Sequence, residues 1–188
     1  ASQVGDEARH NEVISRLLSE KIGTLYPVGA TVKCLLDELL SVEGYEMKTL
    51  GMQTLFEGIA MGVMDLLQKH TENDLLRTVL SRVQQDEARH AAFGVLTMRR
   101  VMRDASELRR NKMEDWAFSI VEALDANQEL EMLRMLCPKY DLDPEFVVLL
   151  PRLAANWAEL NSQAFMHTVV PNLRRVGLIT RRTESDWR

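Results

Sequence analysis

The feature that most constrains this chain is the five-residue word Asp-Glu-Ala-Arg-His, which occurs twice, at residues 6–10 and 86–90. On an α-helix, a residue and the one three places later lie on the same face, about 4.5 Å apart along the axis. The Glu and the His of each copy can therefore reach one ion, and each copy supplies half of a metal site. The candidate ligands in the two copies are Glu7, His10, Glu87 and His90.

A further carboxylate, Glu57, stands alone between the two copies. Four-helix bundles with a two-metal carboxylate centre take a Glu from each of two helices and a Glu-x-x-His from each of the other two. Three of these four elements occur here, which predicts an all-α, ferritin-like four-helix bundle. The missing element is a lone Glu on a helix before Glu7, so we expect the first bundle helix upstream of this sequence, with Glu159 as the less favoured substitute.

Apolar residues recur at helical spacing along most of the chain. The predicted helices cover residues 2–22, a short crossover that ends near Gly44, 45–69, 75–102, 113–136 with a break at Cys137-Pro138, and 147–169. The turn between the predicted helices 45–69 and 75–102 is centred at position 72, and Glu57 and Glu87 each lie 15 residues from it. An antiparallel hairpin therefore places these two carboxylates level with each other.

We expect one domain over residues 1–188. The bundle helices occupy about residues 1–102, and flanking helices with a basic tail occupy about residues 103–188. The tail is expected to be solvated or to form a subunit contact.

The other members of the repeated word predict partners for the ligands. Asp6 and Asp86 would each accept a hydrogen bond from the free ring nitrogen of a ligand His. Arg9 and Arg89 would pair with these two Asp carboxylates. This explains four further positions of the repeat.

The candidate carboxylates Glu57 and Glu87 stand among apolar residues. Burying carboxylates costs several kcal/mol each unless a cation compensates, so a pair of metal ions is expected. Carboxylates with fewer imidazoles and no thiolate suit iron or manganese better than copper, and the absence of His-Glu-x-x-His argues against a zinc peptidase.

Space beside the metals is a further expectation. Gly58 and Gly62, four residues apart in the Glu57 helix, predict either close helix packing or room for oxygen or a substrate. The side chains that would line such a space, or simply fill the core, are Phe56, Met61, Met64 and Phe93.

Composition and charge exclude other classes. The formal net charge is −5 at pH 7, which argues against nucleic acid as a partner. No apolar run approaches the ~18 residues of a membrane span. Cys34 and Cys137 lack Cys-x-x-Cys spacing and lie in apolar contexts, so we expect buried, reduced thiols in a cytoplasmic protein.

The candidate ligands stand in segments that resemble bacterial ferritin-like di-iron oxygenases, in the broad neighbourhood of the p-aminobenzoate N-oxygenase family. The segments are Asp-Glu-Ala-Arg-His-Asn-Glu-Val, Leu-Gly-Met-Gln-Thr-Leu-Phe-Glu-Gly-Ile-Ala and Gln-Asp-Glu-Ala-Arg-His-Ala-Ala-Phe-Gly-Val-Leu, within about residues 4–102. The resemblance implies two iron ions that activate dioxygen, a helical homodimer and a separate electron donor. It implies as ligands Glu7, His10, Glu57, Glu87 and His90.

The resulting hypothesis is a non-haem di-iron monooxygenase or oxidase that acts on a small organic substrate. The N-oxygenases resemble each other in a further His one turn before the second Glu-x-x-His, where this chain has Val83. Hydroxylation or desaturation of an apolar substrate is therefore supported as well as N-oxygenation. The alternatives are iron storage or peroxide scavenging on the same bundle, and a protein that kept the fold without chemistry.

Overall fold

The computed structural model describes residues 2–23, 25, 27–139 and 167–187, without the side chains of residues 124–139. Every regular element in this part of the chain is a helix, which confirms the predicted all-α class. The helices are α1 (Ser2–Arg16), α2 (Ala30–Ser41), α3 (Tyr45–Thr49), α4 (Glu57–His70), α5 (Asp74–Asp104), α6 (Glu107–Lys139) and α7 (residues 167–176).

The end of the first helix lies where the sequence predicts it. α1 continues into a wider π-helical turn, Leu17–Ile22, and stops at Gly23. Gly23 has a φ of 76°, a left-handed conformation that favours glycine, and its N–H donates to the Leu18 carbonyl oxygen 2.8 Å away. The predicted helix over residues 2–22 is therefore confirmed.

The short second helix, α2, lies against α6. It buries Leu35 and Leu39, whereas Cys34 is exposed. The expectation of a buried thiol is wrong for Cys34, because this residue falls outside the apolar stripe that faces the core. The side chain of Cys137 lies outside the described residues.

The predicted antiparallel hairpin is confirmed. α3 and α4 run on as one helix through a π-helical turn, Leu50–Phe56, and α5 returns after a short connection. The side chain of Asn73 accepts a hydrogen bond from the backbone N–H of Leu76, 3.0 Å away, and so caps the start of α5.

The π-helical turn Leu50–Phe56 packs closely on its neighbours at two glycines. A Cβ at Gly51 would collide with Leu39 and would lie 2.9 Å from Trp116. A Cβ at Gly94 of α5 would lie 2.6 Å from the Cβ and 3.1 Å from the carbonyl carbon of Gln53. The turn therefore contacts α5 almost backbone to backbone.

Close packing also accounts for one of the two glycines after Glu57. A Cβ at Gly58 would lie 3.5 Å from a methyl group of Val169, so Gly58 faces α7. It does not open space toward the metal ligands.

Among the described residues, one helix is long and apolar enough to cross a membrane by length and composition alone. Tyr45–His70 reaches a mean hydropathy of 1.2 over 18 residues, and 44% of that window is buried inside the fold. This segment comes closer to the length and hydropathy of a membrane span than the sequence suggested, although charged residues interrupt it. Helices in the core of a bundle meet the same criteria, so the finding is weak evidence for a membrane.

α6 is longer than predicted at both ends. It begins at Glu107 and remains helical through Pro138 to Lys139. The predicted break at Cys137-Pro138 is wrong, because a proline removes one backbone hydrogen bond and can bend a helix without ending it. The predicted helix over residues 147–169 lies mostly outside the described residues, as does Glu159; its described end, α7, runs on to residue 176.

The segment after α7 is held by a carboxylate on α6. The Glu114 side chain is fully buried and accepts hydrogen bonds from the Thr180 backbone N–H at 2.7 Å, from the hydroxyls of Thr180 and Thr183, and from the Arg182 guanidinium at 3.0 Å. Burial raises the pKa of Glu114, but the hydrogen bonds from Thr183 and Thr180 outweigh it, and the net pKa lies below its ordinary value.

Trp187 completes this attachment. Its side chain is buried, its indole N–H donates to the Thr183 hydroxyl at 3.1 Å, and its ring meets Phe118 edge to face at 5.3 Å. The expectation of a solvated tail holds for the described arginines, since Arg174, Arg175, Arg181 and Arg182 are exposed, but Leu178, Thr183 and Trp187 of the same tail are buried. The buried Glu114 on α6 holds this segment through Thr180, Arg182 and Thr183.

The main apolar core lies between the π-helical turn, the second half of α5, α6, α7 and the segment after it. Its fully buried side chains include Leu50, Leu55, Met98, Met113, Val169, Leu173 and Leu178. A smaller cluster between α4 and α5 contains Met64, Leu80 and Val83. α1 contributes to neither cluster and lies along α5, where the candidate metal ligands stand.

Candidate metal centre

α1 and α5 lie side by side and bring the two copies of the repeated word together. The side chains that α1 buries are Asp6 and His10, so this helix is docked largely through polar groups. The rings of His10 and His90 lie with their centroids 6.4 Å apart.

Four of the five predicted ligands form one compact group. The ligand atoms of Glu7, Glu57, Glu87 and His90 all lie within 4.8 Å of one another, and this group could hold a metal ion. Glu57, Glu87 and His90 are buried, whereas the Glu7 side chain is 47% exposed. Glu57 reaches the group from the first residue of α4, directly after the π-helical turn.

The fifth predicted ligand, His10, lies beside this group and faces two of its carboxylates. Its Nδ1 atom is 3.0 Å from Oε1 of Glu87 and 3.6 Å from Oε2 of Glu7. The donors therefore form two overlapping sets, one with His90 and one with His10, which share Glu7 and Glu87.

The two Asp residues of the repeat hold the histidines across the helix pair. Nε2 of His10 on α1 lies 3.1 Å from Oδ2 of Asp86 on α5, and Nε2 of His90 lies 3.1 Å from Oδ2 of Asp6. An ionised Asp only accepts, so each Nε2 carries the proton, and each Nδ1 is turned toward the glutamates. The hydrogen bond from His10 contributes most to holding the pKa of Asp86 well below its usual range.

The two arginines bind both Asp carboxylates rather than one each. Arg9 Nη2 lies 2.6 Å from Asp6 and 3.0 Å from Asp86, and Arg89 pairs with the same two carboxylates. Arg9 contributes most to lowering the pKa of Asp6. The pairs tie α1 to α5 and keep both Asp side chains ionised to hold the histidines.

The glutamates, in contrast, oppose one another. Burial, and then the charge of Glu87, raises the pKa of Glu57 to about 8, and burial with the charge of Glu7 raises the pKa of Glu87. Three carboxylates in one buried group are therefore unfavourable while they are ionised, and a divalent cation between them would relieve this repulsion.

His90 compensates part of this negative charge. Burial lowers its pKa, but the hydrogen bond with Asp6 and the charges of Glu57 and Glu87 outweigh burial, so the net pKa is raised. Protonation of His90 and Glu57 would thus reduce the negative charge of the metal-free group, and a bound cation would compete with these protons.

Two buried atoms of the site also lack a hydrogen-bond partner. They are Nδ1 of His10 and Oε2 of Glu57. Buried polar atoms are nearly always satisfied, so an unpaired imidazole nitrogen and an unpaired carboxylate oxygen on two candidate ligands fit metal ligation. Oxygen donors with two imidazoles and no thiolate suit iron or manganese.

A cavity of about 600 Å³ opens beside the ligands. Its wall contains Glu7, His10, Asn11, Ile14, Val32, Phe56, Ile59, Ala60, Val63, Met64, Leu80, Val83 and Glu87. Phe56 and Met64 therefore line the space as expected, whereas Phe93 is 49% exposed and does not. Apart from Asn11 and the three metal-site residues, every side chain in the wall is apolar.

Two glutamines in this region were not predicted from the sequence. Gln3 lies one turn before Glu7, and Gln53 lies one turn before Glu57. Nε2 of Gln3 donates to Oε1 of Glu57 at 2.8 Å, and Nε2 of Gln53 donates to Oε1 of Gln3 at 3.4 Å. The recurrence of Gln four residues before a ligand Glu was the available signal.

Comparison with known proteins gives no relative. No family model, no curated protein and no solved structure matches this chain. A function for this chain therefore has to be argued from the geometry of the site.

Proposed function

We propose that this protein is a di-iron oxidoreductase that activates dioxygen and oxidises a small organic substrate, on a ferritin-like bundle to which α1, α4 and α5 contribute. The observation that carries the proposal is the convergence of Glu7, Glu57, Glu87 and His90 within 4.8 Å. Three of these four side chains are buried, and burying carboxylates is costly unless a cation or a close partner compensates.

In the proposed site, Glu7, Glu57, Glu87 and His90 would hold one ion. His10 would hold a second through its unpaired Nδ1, together with the neighbouring carboxylates of Glu7 and Glu87. The bound ions supply the binding and reduction of dioxygen.

The adjoining cavity supports an organic substrate of apolar character. Its wall offers apolar side chains and one neutral polar group, Asn11, next to the ligands His10 and Glu87. Val83 lines this wall where the N-oxygenases have a further His, which favours hydroxylation or desaturation of an apolar molecule. Hydroxylation places one oxygen atom in the product and releases the other as water, so a separate donor must supply two electrons.

The test is oxygen consumption by the reduced, iron-loaded protein. Aromatic amines, fatty acyl compounds and a blank without substrate are compared in an oxygen electrode, and products are examined by mass spectrometry. We expect substrate-dependent uptake with a product heavier by one oxygen atom or lighter by two hydrogen atoms. Uptake that needs no organic substrate and ends in mineralised iron would instead identify a storage protein, the alternative on the same bundle.

A pair of variants controls the metal dependence. His90→Ala removes one ligand and should abolish substrate-dependent uptake. Gln84→Leu changes a half-buried residue of α5 that hydrogen-bonds to Gln68 and to the Met61 carbonyl, away from the ligands, and should keep it. Equal activity of the His90→Ala variant and the unaltered protein would refute the proposal.

A further inference from the structure

The carboxylate of Glu57 is attached to the rest of the fold through one of its two oxygens. Oε1 accepts the hydrogen bond from Gln3, whereas Oε2 is buried and has no hydrogen-bond partner. The two oxygens of one ligand are therefore not equivalent, and this asymmetry is set by a side chain of α1.

The orientation of both glutamine amides follows from the carboxylate. When Glu57 is ionised, as a bound cation requires, it can only accept, so Gln3 must turn its NH₂ group toward it and its carbonyl oxygen away. That carbonyl oxygen needs a donor, and the NH₂ group of Gln53 provides it. One chain of hydrogen bonds thus runs from the π-helical turn through α1 to the ligand on α4.

The far end of this chain is anchored on rigid backbone. Gln53 lies in the π-helical turn, where its backbone carbonyl carbon and oxygen would be 3.1 and 3.2 Å from a Cβ at Gly94. Because α5 has no side chain at this position, the turn sits against the helix that carries Glu87 and His90. The position of Gln53 is therefore tied to the same helix as two of the ligands.

We propose that Gln3, supported by Gln53, is a positioning residue that holds the carboxylate of Glu57 in one orientation among the metal ligands, with Oε1 4.0 Å from Nδ1 of His90. This inference rests on the proposed function, since it assigns the geometry of one ligand of that site. A hydrogen bond to Oε1 restricts rotation of the carboxylate beside His90, and it favours the ionised carboxylate that a cation requires. Partners of this kind commonly change metal affinity about 10- to 100-fold when they are removed.

The test compares Co²⁺ binding by the metal-free protein and by Gln3→Leu, which keeps the size of the side chain but cannot donate. We expect Gln3→Leu to bind Co²⁺ about 10- to 100-fold more weakly, with a changed visible absorption spectrum of the bound ion because the carboxylate of Glu57 is then no longer held in one orientation. Helical circular dichroism and the urea midpoint of the metal-free variant should match those of the unaltered protein.

Gln84→Leu is the matched control. Gln68 and Gln84 form a second half-buried pair, with Nε2 of Gln68 2.7 Å from Oε1 of Gln84, and neither contacts a ligand carboxylate. Gln84→Leu should keep the affinity and the spectrum. Equal losses in Gln3→Leu and Gln84→Leu would show a general packing effect and overturn the proposal, as would Gln3→Leu with unchanged affinity and spectrum.

Gln53→Leu decides the matter if Gln3→Leu disturbs α1. It should weaken Co²⁺ binding less than Gln3→Leu does, and the double variant should bind no more weakly than Gln3→Leu alone, because both act through one chain of hydrogen bonds. Unchanged binding by Gln53→Leu would overturn the role of that chain. If the unaltered protein binds no divalent ion, the proposed function fails and this inference fails with it. If the unaltered protein binds the ion and the glutamine variants bind it equally well, the proposed function stands and the role of Gln3 is refuted.

Discussion

Replacing Glu57 with Gln should stabilise the metal-free protein while it weakens metal binding. The pKa of Glu57 is raised from 4.5 to about 8, chiefly by burial and by the charge of Glu87. A raised carboxyl pKa means that the fold prefers the protonated acid, so its contribution to stability is fully present below pH 4.5 and is lost as the pH rises toward 8. Gln mimics the protonated acid at every pH.

The magnitude follows from the two pKa values. At pH 7 the unfolded chain has released this proton and the folded chain has kept it, which corresponds to an upper limit of about 3 kcal/mol. Glu7 is half exposed and admits water to one side of the group, so we expect a gain of roughly 1–3 kcal/mol for Glu57→Gln at pH 7. With metal bound, Glu57→Gln should instead be less stable than the unaltered protein, because the variant lacks the negative charge of one ligand.

Urea unfolding of chelator-treated protein at several pH values between 5 and 8.5 measures this effect. The unaltered protein should lose stability as the pH rises, Glu57→Gln should show a flatter profile, and Glu72→Gln, at an exposed turn position, should follow the unaltered protein. Co²⁺ titration of the same samples should show weaker binding by Glu57→Gln. Parallel pH profiles for Glu57→Gln and the unaltered protein would refute the burial argument.

Three further changes test other parts of the fold. His90→Ala should lose metal, measured by elemental analysis, while circular dichroism shows that most of the helix remains, because the main core excludes α1; wild-type metal content would remove His90 from the ligands. Glu114→Ala should cost about 3 kcal/mol in urea unfolding and release residues 178–187 to protease. Folding lowers the pKa of Glu114, so its contribution to the free energy of unfolding is present above pH 4.5 and is lost as the pH falls through the pKa of the folded state. The difference in stability between the unaltered protein and Glu114→Ala should therefore shrink in acid. A difference that stays constant with pH would contradict this. Gly94→Ala should cost about 1–3 kcal/mol and weaken Co²⁺ binding, since the new Cβ meets the backbone of Gln53; unchanged stability would show that the turn can yield.

Local periodicity explains what could be foreseen from the sequence. The helical spacing of apolar residues, Gly23 as a stop and the polar connection before Asn73 predict α1 and the hairpin, because each depends on neighbours within one or two turns. The equal distances of Glu57 and Glu87 from the turn likewise place them level, and they are found together in one group.

The remaining features depend on contacts between segments far apart in the chain. Asp6 holds His90 and Asp86 holds His10 because α1 and α5 lie alongside each other, and no spacing within one helix encodes this exchange. A buried Glu114 likewise holds residues 178–187 against α6, although the charged side chains of that segment stay exposed as their charge predicts.

The π-helical turn shows most directly why tertiary packing was needed. Its wider winding shifts the faces of the helix just before Glu57, and the apolar pattern does not reveal where such a turn occurs. The turn lies where α5 has Gly94, so that Gln53 meets the neighbouring backbone and reaches Gln3. Residue types and helical spacing thus determine which side chains can bind metal, whereas close packing between helices determines which of their atoms are free to do so.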